Sequence, residues 1–401
     1  MKARKAMEFE SWWLLAFPLF FGLGWLAARI DIKHLVSESR VLPDSYFKGL
    51  NFLLNEQPDQ AIEALIEVVK ADDPDAVELN FALGSLFRRR GEVDRAIRMH
   101  KTIVDRTDLN NEQKLAAIYE LAQDYLKAGL LDRAEQLFSD LQNTVYSTSA
   151  LKFLLDIYQQ EKDWLKSIEI AERLGVAEHP HQKEIAHFYC ELAMIETAHS
   201  NPLAAKAYLE DALRVNRRNV RANILLGDFE AMQGHHEEAI MQWKRVETQD
   251  PRYLHLVASK LLTSYRALEQ YEQGLALLRG YLTQYASVDL LTIVYQGTLE
   301  SQGPELAYHL LREELRRNPT MQGLDKLLEA QLHDVPPERR QDMLLIKNLV
   351  HHHIRRLALF RCEGCGFEAR QFHWHCPACG GWETFPPRRK EETELGHLTH
   401  A

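Results

Sequence analysis

One short text returns about every 34 residues through most of this sequence, and that recurrence limits what the chain can fold into. Residues 91–104 read GEVDRAIRMHKTIV, residues 129–142 GLLDRAEQLFSDLQ, and residues 234–247 GHHEEAIMQWKRVE. Each copy has a turn glycine, an acidic or polar pair, a small residue, and a bulky residue four positions later. The small position falls at Ala61, Ala96, Ala134, Ser167, Ala205, Ala239, Gly274 and Ala307, in steps of 35, 38, 33, 38, 34, 35 and 33. A fixed period of this length marks a stack of like units, each burying its apolar face only against its neighbours. The spacing inside a unit is helical. The small residue sits where two helices cross closely, and a larger side chain there would push them apart.

Upstream of these segments stand Gly49 and Phe52, Gly84 and Phe87, Ala122 and Tyr125, and Gly227, a small and aromatic pattern for the first helix of each pair. Pro251 and Pro319 fall where a second helix should stop. The whole pattern is that of the tetratricopeptide repeat (TPR), and it predicts an all-α superhelical solenoid. The fourth and eighth repeats are degenerate, the 38-residue steps imply short insertions, and residues 321–350 form a further helical pair that caps the stack. The first helices line a concave groove with no built-in chemistry. Phe81, Arg88 and Arg89 are placed in that groove, where the arginines read either as a clasp for a carboxylate-bearing partner or as a solvated helix end.

Composition agrees. With 401 residues the chain exceeds one ordinary core, and 14 prolines and 19 glycines leave room for little but helix. A net charge of −10 argues against nucleic acid as a partner, since that affinity rests mainly on phosphate neutralisation.

Residues 11–28 read SWWLLAFPLFFGLGWLAA and carry no charge. At about 1.5 Å per residue they cover about 27 Å, close to the hydrocarbon thickness of a bilayer. Trp12, Trp13 and Trp25 lie where interfacial aromatics belong. The segment is expected to be a retained transmembrane helix. A cleaved signal peptide is the alternative, disfavoured by the length of the run, by Glu8 and Glu10, and by the poor cleavage site at Ala27-Ala28-Arg29. Flanking charges nearly tie, so they do not orient the span.

The text changes again at Phe360, to FRCEGCGFEARQFHWHCPACGGWETFPP. Cys362 and Cys365 form one C-x-x-C and Cys376 and Cys379 another, each followed by a turn glycine, Gly366 or Gly380. Four thiolates on one tetrahedral ion, iron or zinc, is the expected arrangement. His373 and His375 are not needed as ligands. Phe367, Phe372, Trp374 and Trp382 are expected to pack around the site. His351, His352 and His353 end the preceding helix, where its dipole favours cations. Thiols that must stay reduced to bind metal belong in the cytosol, which places the large C-terminal part there. Cys190, alone in a helical stretch, reads as a small buried hydrophobe.

The two knuckles resemble rubredoxin, and that resemblance admits an electron-transfer protein as one reading. No nicotinamide or flavin fingerprint accompanies them. The full arrangement resembles the lipopolysaccharide assembly protein B (YciM) family of Gram-negative bacteria, most specifically at YFKGLNFLLNEQPDQAIEAL (46–65) and at RCEGCGF…HWHCPACGGWET. The resemblance implies a single-pass inner-membrane protein with its TPR region and rubredoxin-like module on the cytoplasmic face. It also implies an adaptor that is not an enzyme and that acts with the membrane protease FtsH to promote degradation of the deacetylase LpxC. An inner-membrane lipopolysaccharide sensor is a further implied partner, and Cys362, Cys365, Cys376 and Cys379 are the implied metal ligands. A scaffold gathering lipopolysaccharide assembly proteins shares every one of these features. The expected division is an anchor at 1–30, a solenoid at 31–350 and a metal module with a charged tail at 351–401.

Overall fold

Helix follows helix, and the same turn closes most of the pairs. The computed structural model describes residues 57–70, 77–177, 181–332, 336–357 and 359–389, with scattered positions nearer the N-terminus. Apart from Pro18, Phe21, Gly22 and Trp25, the span expected at 11–28 lies outside the described residues. Among the described residues no helix is long and apolar enough to cross a membrane. The tail from Lys390 onward also lies outside them.

The chain divides into two units, Met1–Ala150 and Leu151–Ala401. The first holds α1 (Pro58–Lys70), α2 (Val77–Arg90), α3 (Val93–Val104), α4 (Asn111–Lys127) and α5 (Leu131–Asp140). Helix α6 (Ser147–Glu161) begins there and runs into the second. The second continues with α7 (Trp164–Ala177), α8 (Gln182–Ala198), α9 (Pro202–Val215), α10 (Val220–Met232) and α11 (His236–Gln249). After a 3-10 turn at Pro251–Tyr253 come α12 (Leu254–Ala267), α13 (Tyr271–Gln284), α14 (Val288–Gln302), α15 (Pro304–Arg317), α16 (Met321–Gln331) and α17 (Pro337–Leu357). A two-stranded antiparallel ribbon, β1 (Phe360–Arg361) with β2 (Glu368–Ala369), closes the order.

The turn between the helices of a pair is nearly invariant. The amides of Glu92, Leu130, Asp163, Asn201, His235 and Gln270 donate to the carbonyls of Phe87, Tyr125, Tyr158, Glu196, Glu230 and Tyr265 at 2.8–2.9 Å. This bond satisfies a carbonyl at the helix end and needs one residue in the left-handed region. Gly91, Gly129 and Gly234 fill that place in three repeats, while Lys162, Ser200 and Glu269, each at φ 59°, fill it in the other three. The repeats without a turn glycine therefore keep the geometry and lose the sequence mark.

Each small position predicted from the period is a helix crossing. Ala61, Ala96, Ala134, Ser167, Ala205, Ala239 and Ala307 have no exposed surface, and Gly274 is buried. The bulky residue one turn later fills the space above the preceding helix. A Cβ on Gly84 would overlap the His100 imidazole, and one on Gly227 would overlap the Trp243 indole. Trp243 Nε1–H donates to the Ile224 carbonyl at 3.1 Å, so this large side chain buries no unpaired donor. Burying a side chain of this size stabilises by about 1.5–3 kcal/mol.

Arg88 departs from both readings offered for it. Within the first unit its guanidinium donates to Asp124 Oδ1 at 2.8 Å and to Glu120 Oε2 at 2.6 Å. Asp124, fully buried, also meets His100 Nδ1 at 2.5 Å. Arg88 thus ties α2 to α4 and is neither a clasp for a partner nor a solvated helix end. Arg89 is exposed, and Phe81 is half-buried beside His100. The capping pair expected at 321–350 is present as α16 and α17, with α17 continuing to Leu357.

Candidate metal centre and its docking surface

Two matching turns build the centre. Cys362 N–H donates to the Phe367 carbonyl and Gly366 N–H to the Cys362 carbonyl, both at 2.9 Å. Cys376 N–H donates to the Gly381 carbonyl and Gly380 N–H to the Cys376 carbonyl, again at 2.9 Å. Gly366 (φ 76°) and Gly380 (φ 69°) supply the left-handed residue that each turn requires. The two knuckles lie against each other. Cys362 Sγ is 3.8 Å from Cys379 Sγ, Cys365 Sγ is 3.7 Å from Cys376 Sγ, and all four sulfurs lie within 4.8 Å of one another.

These distances test the fit to a metal. A tetrahedral ion with sulfur ligands at about 2.3 Å requires sulfur–sulfur edges of about 3.8 Å. The sulfurs already stand at that spacing, so the four cysteines are positioned to hold one metal ion. Their acidities point the same way. Burial raises the Cys362 thiol, but the Thr384 hydroxyl and the amides of Cys365 and Gly364 outweigh it and bring it to about 6. At Cys365 the Phe367 amide favours the thiolate, yet burial and the three neighbouring sulfurs push the thiol up to about 12. Burial, with the neighbouring sulfurs, also raises Cys376. The Cys362 thiolate forms readily and Cys365 and Cys376 then resist ionising, as like charges at this range must without a cation among them. A bound metal would supply that charge and cross-link the two knuckles.

The histidines stay out of the ligand set. His375 stacks on Trp382 at 4.5 Å, and His373 lies edge-on to Phe385 at 5.6 Å. The expected aromatic shell needs correcting. The module's own small core is Phe360, Cys362, Cys376 and Phe385, with Phe372 and Ala369 against it. Phe367 meets Phe385, but Trp374 and Trp382 are directed at the helices of the second unit instead of the sulfurs. A module this short cannot bury two indoles in itself, so they are half-buried against helices.

Trp382 is the centre of that contact. Its Nε1–H donates to Gln159 Oε1 on α6 at 3.0 Å, across 223 residues of sequence. Its ring stacks on His187 of α8 at 4.8 Å and meets Phe188 and Trp164 edge-on. Fully buried His187 faces Glu383 Oε1 through Nε2 at 3.0 Å. Burial lowers the His187 pKa, with the Glu383 hydrogen bond opposing, so the ring is neutral and donates Nε2–H to the carboxylate. The same hydrogen bond holds Glu383 below the usual carboxylate range. Trp374 stacks on Tyr253 at 4.9 Å and 6°. Arg389 closes the far edge, donating to both carboxylate oxygens of Asp289 on α14 at 2.8 and 3.1 Å, its guanidinium 4.1 Å over Phe360.

Comparison with known proteins follows the same division. The model of the rubredoxin metal binding domain matches residues 360–387, and that of the tetratricopeptide repeat matches residues 48–99 and 190–252. Lipopolysaccharide assembly protein B of Escherichia coli strain K12 is 33% identical over 379 residues, covering 94% of this chain and 97% of that protein. The chain belongs to the lipopolysaccharide assembly protein B family. The family's protein from Haemophilus influenzae is 30% identical over 391 residues, covering 94% of this chain and 98% of that one. The chain is thus an all-helical TPR protein with a small C-terminal cysteine knuckle, and its family works in lipopolysaccharide assembly.

The sequence pattern marked the four cysteines that are positioned to hold a metal ion and missed the residues that seat the module. Gln159, His187, Tyr253 and Asp289 carry no motif. The one signal available was Trp164 with Phe188, large aromatics outside the repeat's small and bulky positions, fully or nearly buried here. Cys190, as expected, is fully buried, and burial pushes its thiol up to about 12.

Proposed function

We propose that this protein is an inner-membrane adaptor that limits lipopolysaccharide synthesis by promoting degradation of the deacetylase LpxC by the protease FtsH. Residues 1–30 anchor it, residues 31–350 form the solenoid, and residues 351–401 carry the metal module. Cys362, Cys365, Cys376 and Cys379 ligate one iron or zinc ion. The bulk of the chain lies in the cytoplasm, where thiols stay reduced. An inner-membrane lipopolysaccharide sensor is a further partner. The protein has no turnover of its own, and anchoring raises its effective concentration toward membrane-bound partners.

The observation that carries this reading is the family match along 94% of the chain. Supporting it is the seating of the metal module on the helices by Trp382, Trp374 and Arg389. A solenoid joined to a module in this way offers partners one composite surface. The test is the half-life of LpxC in cells depleted of this protein. The adaptor reading expects a lengthened half-life. An unchanged half-life together with defective lipopolysaccharide export would instead identify a scaffold. Removing residues 1–28 should abolish regulation at native expression, and full activity of the anchorless chain would exclude a role for tethering.

A further inference from the structure

The last helix of the stack breaks a rule that terminal repeats obey. A capping helix has no neighbour on its outer side, so that face should be polar. On α17 the inner stripe is ordinary: Met343, Lys347 and Val350 are half-buried and Ile354 is 8% exposed. The opposite face carries Leu345 at 61% and Leu349 at 65% exposure, flanked by Leu344 and Ile346 at 42% and 48%. Other exposed large apolar residues of the second unit are scattered singly or in sequence pairs, such as Leu165 or Leu203, which is normal. Four within six residues form a patch, and patches mark contacts.

The outer face also has a period and a charge order. Glu338, Asp342, Leu345, Leu349 and His352 are exposed and follow the 4-3-4-3 spacing of a coiled-coil seam, which the sequence continues with arginine at 356. The order along this seam is acidic, apolar, basic. Laid antiparallel against itself about position 347, it meets its own complement: Leu345 opposes Leu349, Asp342 opposes His352, and position 338 opposes position 356. A parallel pairing would set each charge against its like.

We infer that α17 is a homodimerisation helix, pairing antiparallel with α17 of a second copy of this chain through the Leu345–Leu349 seam. Self-complementarity is what a two-fold interface requires, since each patch must fit itself. A lipid surface is the other natural occupant of an exposed apolar helix face. Glu338 and Asp342 on the seam itself oppose anionic headgroups. The seam is one helix long, so the association is weak and reversible.

The test uses the full chain. A photo-crosslinking amino acid in place of Leu349, introduced in cells, should give a covalent dimer of this protein. The purified chain in detergent, followed by sedimentation, should show a reversible dimer. Leu349→Asp should weaken it at least tenfold, because two-fold symmetry counts each substitution twice, and helicity should not change at so exposed a site. Asp342→Lys should also weaken it, and Asp342→Lys combined with His352→Asp should restore it. That rescue distinguishes self-pairing from lipid or from another protein. A chain monomeric up to about 100 μM, crosslinks only to lipid or to other proteins, or failure of the charge swap to rescue would each overturn the proposal.

Discussion

The repeat stack and the metal module solve the same problem of burial in opposite ways. In the stack the main contacts lie between near neighbours and recur from repeat to repeat: a small residue on one helix, a bulky one a turn later, and a turn bonded at 2.8–2.9 Å. In the module each contact occurs once and spans the chain, from Trp382 to Gln159 across 223 residues and from His187 to Glu383 across 196. The stack spreads its stability over many equivalent joints. The module depends on one cluster of sulfurs inside and one pair of indoles outside. Damage should therefore stay local in both, but only the module should fail as a whole.

The largest effect is expected inside the module. Cys376→Ser removes one of four ligands from a segment whose other core is Phe360, Phe385 and their few neighbours. Structural zinc sites in small peptides supply about 10–16 kcal/mol that is also folding energy. Metal content should fall to background and residues 360–387 should lose protection from hydrogen exchange, while far-ultraviolet circular dichroism keeps its helical signal. A collapse of helicity along with the metal would erase the distinction between the two regions.

Trp382→Ala should come next. It removes the stack on His187, the edges to Phe188 and Trp164, and the bond to Gln159, but no metal ligand. The cost should be about 3 kcal/mol, the low end for a buried aromatic because Trp382 is only half-buried. The module should keep its metal and detach, seen as new protease cleavage near residue 359 in a metal-loaded protein. Loss of metal in this variant would show that seating and ligation are one cooperative event.

In the stack, Gly227→Ala sets a methyl group into the Trp243 indole. Overpacking of this kind costs about 1–3 kcal/mol. Thermal unfolding should move down with the α10–α11 region leading, and metal content should not change. An unchanged melting temperature would mean that the joint yields more easily than its packing suggests.

The smallest effect concerns pH. Burial lowers the His187 pKa in the folded chain, so folding favours the neutral ring. The unfolded chain then binds more protons below about pH 6.5, and stability present above that value declines as pH falls. Glu383, also lowered, adds a loss in the same direction at more acid pH, below the usual carboxylate value. The slope from one group cannot exceed about 1.4 kcal/mol per pH unit. Between pH 7.5 and 5.5, seating of the module should weaken in the native chain and change less in His187→Gln, with hydrogen exchange on α8 as the readout. An equal slope in both chains would mean that His187 does not set the acid sensitivity.

What could be read from the sequence follows the same divide. The period placed Ala61, Ala96 and the six later small residues at helix crossings, and all are buried. The paired C-x-x-C spacing placed four sulfurs on one tetrahedron, because a knuckle is a local turn whose residues are neighbours in sequence. Arg88 was misplaced because its partners, Glu120 and Asp124, belong to the next repeat and carry no pattern of their own. Trp374 and Trp382 were assigned to the metal shell for the same reason. Contacts made once, between residues far apart, leave no period behind, whereas eight repeated joints leave eight copies of one signal. The turns at Lys162, Ser200 and Glu269 mark the boundary case, where the contact repeats but the residue that would announce it does not.

The central claim is that the seated, metal-held module is part of the regulatory surface and not an accessory fold. The measurement that tests it is the half-life of LpxC in cells expressing Cys376→Ser or Trp382→Ala at native level, with metal content determined on the same purified chains. The expected result is a lengthened half-life in both, with metal lost from the first and retained in the second. Normal turnover of LpxC in the metal-free Cys376→Ser protein would contradict the claim.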